Sequence, residues 1–233
     1  TYELADGVQV YANHATGFMP VNGADENGTA YEPEKSRSNE IGAKIQRNGW
    51  QTSLAVFDAY KSNILTANTE SARSAQVGEI RSTGVEFNLS GQLTPSTQLM
   101  FAYAWLDART TNSFVDADWW VEIPAGTQVA NVPENTVFVN LNQDFALAGY
   151  AAHAGASYQF VDERQGSMVD TSFRLPSYSL VDLNLGVDFG AGLSSALAVT
   201  NLLNESYILN SYARWWSQPG EPRAVKASLT YDF

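Results

Sequence analysis

The sequence alternates between apolar and polar residues with a period of two in several separate stretches. In the clearest stretch the apolar residues are Val225, Ala227, Leu229, Tyr231 and Phe233. Because successive side chains of a β-strand point to opposite faces, this spacing predicts a strand with one apolar and one polar face. The same pattern recurs in 85–90, 99–105, 150–160 and 181–189. The chain is therefore predicted to be all-β.

The connections between these stretches are alternately short and long. Short turns, rich in Gly, Pro, Asn or Ser, are predicted at 47–49, 91–96, 146–149 and 190–192. Long loops are predicted at 17–33, 63–75, 110–133, 162–174 and 204–220. This division gives roughly ten antiparallel strands of about nine residues or more, the length that a tilted membrane strand needs. Short turns at one end and long loops at the other are typical of outer-membrane β-barrels.

The chain contains no apolar run of about 18 to 20 residues, so a transmembrane helix is not expected. Only a closed barrel could then cross a bilayer, because all backbone polar groups must be paired in lipid. A soluble jelly roll or β-sandwich is the alternative, although its strands are usually nearer five or six residues. Aromatic residues near the predicted strand ends favour the membrane barrel, where they form girdles. They are Tyr150, Tyr158, Phe160, Tyr178, Phe189, Tyr231 and Phe233.

Charge and cysteine content exclude several classes of function. With 13 Lys and Arg against 25 Asp and Glu, the net charge of −12 disfavours a nucleic-acid partner. The absence of cysteine removes disulfides, thiolate metal sites and cysteine nucleophiles.

Five short segments follow one another in a characteristic order. They read EKS at 34–36 with NEIGAK at 39–44, RSTGVEF at 81–87, LPSYSLVDL at 175–183, AVTNLLNESY at 198–207 and GEPR at 220–223. Together with the terminal Phe233, they resemble the C-terminal β-barrel of TonB-dependent siderophore receptors. Leu203 and Asn204 stand where this family usually has Phe and Asp.

The resemblance implies a barrel of about 22 strands, filled by an N-terminal plug domain. Residues 1–233 would be the C-terminal part of that barrel, with the plug domain and the first barrel strands absent. The chain would lie in the outer membrane of a Gram-negative bacterium, in contact with lipid and with the remaining N-terminal part of the receptor. That missing part would also contact a TonB-type energy-coupling protein. Phe233 would be recognised by the barrel-assembly machinery, or would serve as a lipid-facing girdle residue.

The resemblance places the ligand surface on the long outward loops, since transport of this kind breaks no covalent bond. Aromatic faces with one arginine suit planar iron chelates through stacking and cation–π attraction. The candidate residues are Phe114, Trp119, Trp120, Tyr212, Arg214, Trp215 and Trp216. Alternatively, these tryptophans pack the loops together or lie at the membrane interface. No resident cofactor is expected, because the ferric siderophore would be the cargo.

Enzyme and metal sites are weakly supported. His14 and His153 are the two histidines, and neither stands in a recognisable Ser-His-Asp motif. Two separated histidines without cysteine make a zinc site weak, and Asp116 and Asp118 lack the pattern of a calcium loop. The predicted function is active uptake of a ferric siderophore, not catalysis. The alternatives are the same fold importing cobalamin, haem or an oligosaccharide, or a general porin.

Overall fold

The computed structural model describes residues 1–25, 27–67 and 74–233, and in this part the chain is built from β-strands and their connections. The strands are β1 (Tyr2–Ala5), β2 (Val8–Met19), β3 (Glu34–Arg47), β4 (Trp50–Ala67), β5 (Ser74–Thr94), β6 (Thr97–Thr110), β7 (Phe114–Val115), β8 (Glu122–Ile123), β9 (Asn135–Leu147), β10 (Tyr150–Val161), β11 (Arg164–Gln165), β12 (Arg174–Leu175), β13 (Tyr178–Gly190), β14 (Leu193–Thr200), β15 (Ile208–Ala213), β16 (Trp216–Pro219) and β17 (Ala224–Tyr231).

Eleven of these strands form a single antiparallel meander. They lie in the order β1-β2-β3-β4-β5-β6-β9-β10-β13-β14-β17, with each strand paired to its neighbours in chain order. The short pair β7–β8 attaches to β4, whereas β11–β12 and β15–β16 are separate hairpins within the loops. The prediction of roughly ten long antiparallel strands is confirmed, with the four-residue β1 as an additional edge strand.

The short turns lie at one end of the sheet, called here the turn end. Asn48-Gly49 and Ala148-Gly149 each connect two long strands, and all four of these residues have positive φ. This conformation matches the twist of the flanking strands, and glycine at the second position adopts it without steric cost.

Two of the predicted connections overlap the strands more than the others. The short turn predicted at 91–96 is confined to 95–96, because β5 continues to Thr94. Gly91 lies inside the strand opposite Trp50, and a Cβ on Gly91 would come within 2.5 Å of that indole ring. The glycine therefore makes room for an aromatic ring instead of ending the strand. The loop predicted at 63–75 also shortens, since β4 reaches Ala67 and β5 begins at Ser74, and its residues 68–73 lie outside the described part.

The register places the apolar residues of neighbouring strands on the same face. Leu197, for example, lies opposite Leu185 on one side and Ala227 on the other. Many apolar side chains on this face are exposed: Val225 is 66% exposed and Leu229 is 72% exposed. A broad exposed apolar face is unfavourable in water but is what lipid acyl chains require. The opposite face carries polar residues such as Asp182 and Asn184.

The apolar face is bounded at both ends. At the turn end, the rings of Tyr150 and Phe189 are in edge contact, with centroids 5.2 Å apart. Towards the loop end the same face becomes polar, where Asp58 accepts two hydrogen bonds from Arg81, at 2.8 and 3.2 Å. Asp58 lies eight positions after Trp50 on β4, about 26 Å along the strand. At the strand tilt of about 35–45° found in such barrels, this corresponds to roughly 20 Å along the membrane normal, close to the apolar band of about 25 Å. No helix in the described residues is long and apolar enough to span a bilayer.

Candidate functional site

Three long connections at the loop end are joined to one another by hydrogen bonds. They are residues 111–134, 162–177 and 201–223, together called the loop unit, and they contain the short strand pairs β7–β8, β11–β12 and β15–β16. The centre of the unit is a reciprocal pair of hydrogen bonds between Asn131 and Ser211. Asn131 Nδ2 donates to the Ser211 carbonyl at 2.7 Å, and the Ser211 N–H donates to Asn131 Oδ1 at 2.8 Å. Ser211 Oγ also donates to the Gly166 carbonyl, so all three connections meet here.

A buried arginine adds a second link between two of the connections. Arg164 is only 2% exposed, and its Nη2 donates to the carbonyls of Ile208, at 2.6 Å, and Leu209, at 3.0 Å. Its guanidinium carbon lies 5.4 Å from the centre of the Tyr178 ring. Burial lowers the pKa of Arg164, whereas Tyr178 opposes that shift, and an arginine in a protein stays charged. The charged guanidinium of Arg164 thus stabilises the hairpin β15–β16 through these two hydrogen bonds.

Four of the candidate ligand residues form one aromatic cluster on this unit. Trp119 lies 5.8 Å from Trp215 and 6.1 Å from Tyr212, and Tyr212 lies 5.5 Å from Trp216, measured between ring centroids. The Tyr212 hydroxyl also donates to the Asp118 carboxylate, which raises the pKa of Tyr212. The tight turn between β15 and β16 places three of these rings at the tip of the hairpin. Residues about 95 positions apart in the sequence are therefore brought together here.

Arg214 lies at the same hairpin tip, but its guanidinium is already paired. Its Nη2 donates to Asp170 Oδ2 at 2.9 Å, and its guanidinium carbon lies 5.0 Å from the centre of the Phe173 ring. Hydrogen bonds from Ser172 and Arg214 lower the pKa of Asp170. The arginine side chain remains 53% exposed, so part of its charge still faces outward.

The other two candidate residues occupy different environments. Phe114 is buried, at 5% exposure, and pairs with Ile123 in the interior of the loop unit. Trp120 is 58% exposed and adopts a φ of 55° directly after the turn at 117–119. Three residues that hold the loop unit together were not identified from the sequence: Asn131, Ser211 and Arg164. No local sequence pattern marks a residue whose hydrogen-bond partner lies 44 or more positions away.

Three of the five segments that carried the family resemblance, 175–183, 198–207 and 220–223, meet at the base of the last loop. The Asn201 N–H donates to Asp182 Oδ1 at 2.8 Å, and Asn201 Nδ2 donates to the carbonyls of Glu205, at 2.9 Å, and Glu221, at 3.0 Å. The Tyr207 ring stacks near Tyr178, with centroids 4.4 Å apart, and fills the space beside Gly220. These segments therefore have a structural role in closing the loop onto the barrel wall.

The arrangement is suited to binding. Exposed indole faces with a phenol and an arginine nearby favour flat, partly apolar ligands through stacking and cation–π attraction. Among the described residues, no three His, Asp or Glu side chains converge as metal ligands.

The family profile described as "TonB dependent receptor-like, beta-barrel" matches residues 1–202. The chain therefore belongs to the TonB-dependent receptor β-barrel family. It lies in the outer membrane of a Gram-negative bacterium, and the predictions of family, location and a non-enzymatic role are confirmed by this membership.

Among individual proteins, the chain is similar over its whole length to two named receptors. It is 34% identical to the metal-pseudopaline receptor CntO of Pseudomonas aeruginosa, covering 32% of that protein. It is 30% identical to the ferrioxamine B receptor of Salmonella typhimurium, covering 33% of it. The chain thus spans about a third of the length of these relatives.

Solved structures show the same fold. The chain matches BauA, the ferric preacinetobactin receptor of Acinetobacter baumannii, with a TM-score of 0.85 and 20% identity, covering 99% of this chain and 35% of that one. It matches the siderophore receptor PiuA of the same organism with a TM-score of 0.84 and 21% identity, covering 99% of this chain and 34% of that one. The prediction of an antiparallel partial barrel is confirmed.

Proposed function

We propose that residues 1–233 are the C-terminal part of a receptor that imports a metal chelate, specifically a ferric siderophore, across the outer membrane. A plug domain and the first barrel strands would complete it, and a TonB-type partner acting on that missing part would supply the energy. The sheet supports this proposal, because β1 and β17 are both edges that need further strands for barrel closure. The named relatives support the cargo class, since they are receptors for metal-pseudopaline and ferrioxamine B.

The aromatic cluster on the loop unit is the observation that carries the proposal. Trp215 is 77% exposed and Trp216 is 67% exposed, so both indole faces are accessible at the loop end. The hydrogen bonds of Asn131 and Arg164 hold these rings in place before any ligand arrives. Preorganisation of this kind reduces the ordering cost of binding. In this proposal Trp119, Tyr212, Trp215 and Trp216 contact the chelate, with Arg214 at the rim.

Alanine substitution of Trp215 and Trp216 in the complete receptor tests this surface. We expect binding of the transported chelate to weaken about tenfold or more, since each stacked ring contributes on the order of 1 kcal/mol beyond its buried area. Trp120→Ala is the matched control, because Trp120 is also an exposed tryptophan of the loop unit but lies outside the four-ring cluster to which the proposal assigns the ligand contacts. Unchanged affinity in the double variant, with normal amounts of assembled receptor, would contradict the proposal.

Growth experiments test the cargo. A receptor-deleted strain and its parent are compared under iron limitation with ferrioxamine B, ferrichrome and a catecholate chelate as sole iron sources. We expect the deletion to lose growth on at least one of them. If no iron source separates the two strains, a metallophore for another metal is the second candidate, favoured by the 34% identity to the metal-pseudopaline receptor. The same pair of strains is then used to test the uptake of cobalamin, haem and an oligosaccharide, and to test passive flux through a porin.

A further inference from the structure

Negative charge predominates on the loop unit that carries the aromatic cluster. Its three connections contain nine carboxylate side chains and four arginines, with no lysine and no histidine. The carboxylates belong to Asp116, Asp118, Glu122, Glu134, Asp162, Glu163, Asp170, Glu205 and Glu221. Residues 68–73, outside the described part, contain one carboxylate and one arginine, so they leave this balance unchanged. A ligand that approaches the cluster therefore meets a surface of predominantly negative charge.

The four arginines of the loop unit do not offset this charge at the cluster. Arg164 is buried and donates to backbone carbonyls. Arg174 and Arg214 each form an ion pair of 2.9 Å with a carboxylate of the unit. Arg223 lies at the base of the last loop, where it donates to a backbone carbonyl at 3.3 Å. Within the described loop unit, none of the four presents an unpaired charge to the exposed rings.

The cations at the loop ends of β3–β6 are also engaged. Four of them pair with carboxylates: Lys35 with Glu32, Lys61 with Glu34, Arg81 with Asp58, and Arg109 with Asp107. A fifth, Arg37, has its guanidinium carbon 5.0 Å from the centre of the Tyr60 ring. Among the described residues, these contacts leave no block of positive charge beside the loop unit.

Two of the carboxylates lie at the aromatic cluster itself. Asp118 accepts a hydrogen bond from the Tyr212 hydroxyl, and Asp116 accepts one from the Trp119 N–H at 2.8 Å. The hydrogen bond to Asp118 raises the pKa of Tyr212 most, and the negative charges of Asp118 and Asp116 raise it further. Their charge therefore acts on the rings. In the described part of the chain, neither carboxylate belongs to an ion pair.

The rings of the cluster do not form one flat platform. Trp119 and Trp215 are inclined to each other by 73°, and Tyr212 and Trp216 by 81°. Steeply inclined rings present their faces in different directions, so a compact cation can approach more than one of them, as in the aromatic cages that bind ammonium groups. A flat anionic chelate can stack on only one ring of each inclined pair, and it meets the like charge of the two carboxylates.

We propose that this surface selects metal chelates that carry a positive charge, specifically a protonated amine, over anionic chelates. The inference rests on the proposed function and names the charge class of its cargo. The amine binds at the ring faces, and Asp116 and Asp118 strengthen its binding through their charge. Rings and carboxylates favour the same class of ligand, because both attract a cation.

A matched series of chelates tests this preference at nearly constant shape. Ferrioxamine B carries a protonated terminal amine, its N-acetyl derivative is neutral at that end, and its N-succinyl derivative carries a carboxylate there. Binding of the three radioiron-loaded chelates to the complete purified receptor gives three dissociation constants. We expect affinity to fall in this order, by about tenfold between the first and the last. The contrast should shrink as salt is added, because exposed charges are screened.

Asp116→Asn combined with Asp118→Asn should remove most of this contrast, while the affinity for the neutral chelate stays within about twofold. Asparagine keeps an acceptor oxygen at both positions, so the hydrogen bonds of Trp119 and Tyr212 are retained. Glu205→Gln combined with Glu221→Gln is the matched control, since it removes the same charge from the exposed base of the last loop. This control should keep the full contrast.

Equal affinities for the three chelates, tighter binding of the succinylated one, or no binding of ferrioxamine B would overturn the proposal. An undiminished contrast in the Asp116 and Asp118 variant, or equal losses in the variant and its control, would also overturn it. The failure of siderophore uptake as such is a separate outcome, in which no iron source distinguishes the receptor-deleted strain from its parent.

Discussion

The side-chain amide of Asn131 pairs with the backbone of Ser211 as a neighbouring strand would, with one hydrogen bond in each direction, at 2.7 and 2.8 Å. Asn131 adopts a φ of 64°, a left-handed conformation that asparagine tolerates better than most residues. The pair joins connections that start from different barrel strands. The aromatic cluster on β15–β16 therefore depends on a residue that itself contacts no ligand in the proposed function.

Asn131→Asp is expected to loosen the hairpin β15–β16. Aspartate, like asparagine, tolerates the left-handed backbone conformation at this position. The substitution replaces the Nδ2 donor by a carboxylate oxygen that faces the Ser211 carbonyl. Loss of a buried hydrogen bond with an unpaired acceptor costs about 1–3 kcal/mol. Amide exchange at Ser211 in the purified receptor should accelerate about tenfold to a hundredfold.

Asn210→Asp provides the matched control for this change. Asn210 lies on the same hairpin, is exposed, and forms a single side-chain hydrogen bond to Gln218. We expect little change in exchange at Ser211 in this variant. Equal effects of the two substitutions would show that the Asn131 amide does not hold the hairpin.

Substitution by alanine should affect receptor folding differently at two glycines of β5. A Cβ on Gly84 would come within 2.7 Å of the Trp105 carbonyl oxygen as well as 2.5 Å from the Phe57 ring. The three nearest atoms that a Cβ on Gly91 would meet all belong to the Trp50 side chain, and none of them is backbone. Overpacking against backbone costs about 1–3 kcal/mol, so Gly84→Ala should reduce the amount of heat-modifiable, folded receptor far more than Gly91→Ala. Similar yields of both variants would contradict this explanation.

The Asp170–Arg214 pair predicts a pH dependence at the hairpin tip. Hydrogen bonds from Ser172 and Arg214 hold the pKa of Asp170 below its ordinary value of 3.8. A lowered folded-state pKa means that the pairing stabilises the tip at pH values above 3.8 and that this contribution is lost as the pH falls further. Tryptophan fluorescence of the purified receptor should therefore change between about pH 4 and about pH 2.

Asp170→Asn separates this effect from the titration of other carboxylates. The variant cannot ionise at position 170, so its fluorescence change over the same range should be smaller than that of the wild type. Identical titration curves for the two proteins would exclude the Asp170–Arg214 pair as the cause.

The barrel wall could be predicted from the sequence because its determinants are local. The alternation of apolar and polar residues sets the face of each side chain, and the register then aligns these faces across strands. The errors arose where a local signal had another cause: Gly91 was interpreted as part of a turn, although it makes room for Trp50.

The loop unit could be predicted only in part. Its aromatic residues were identified from their density in two loops, and four of them do form one cluster. Arg164 and Asn131 were not identified, because their partners are distant backbone groups that any residue could supply. Phe114 illustrates the same limit, since its burial against the loop interior follows from the β7–β8 pairing and not from its neighbours in sequence.

The role of Phe233 in assembly remains a prediction that can be separated from its contact with lipid. Phe233 and Tyr231 lie on the same phase of the last segment, with ring centroids 6.5 Å apart, and both rings are exposed. Loss of either ring removes a similar apolar area from the membrane interface. If that were the whole effect, Phe233→Ala and Tyr231→Ala would lower the amount of folded receptor equally. Recognition of the Phe233 ring by the assembly machinery predicts instead a several-fold larger loss for Phe233→Ala. The amount of folded receptor in the outer membrane measures this loss, and both variants should refold alike from urea into detergent.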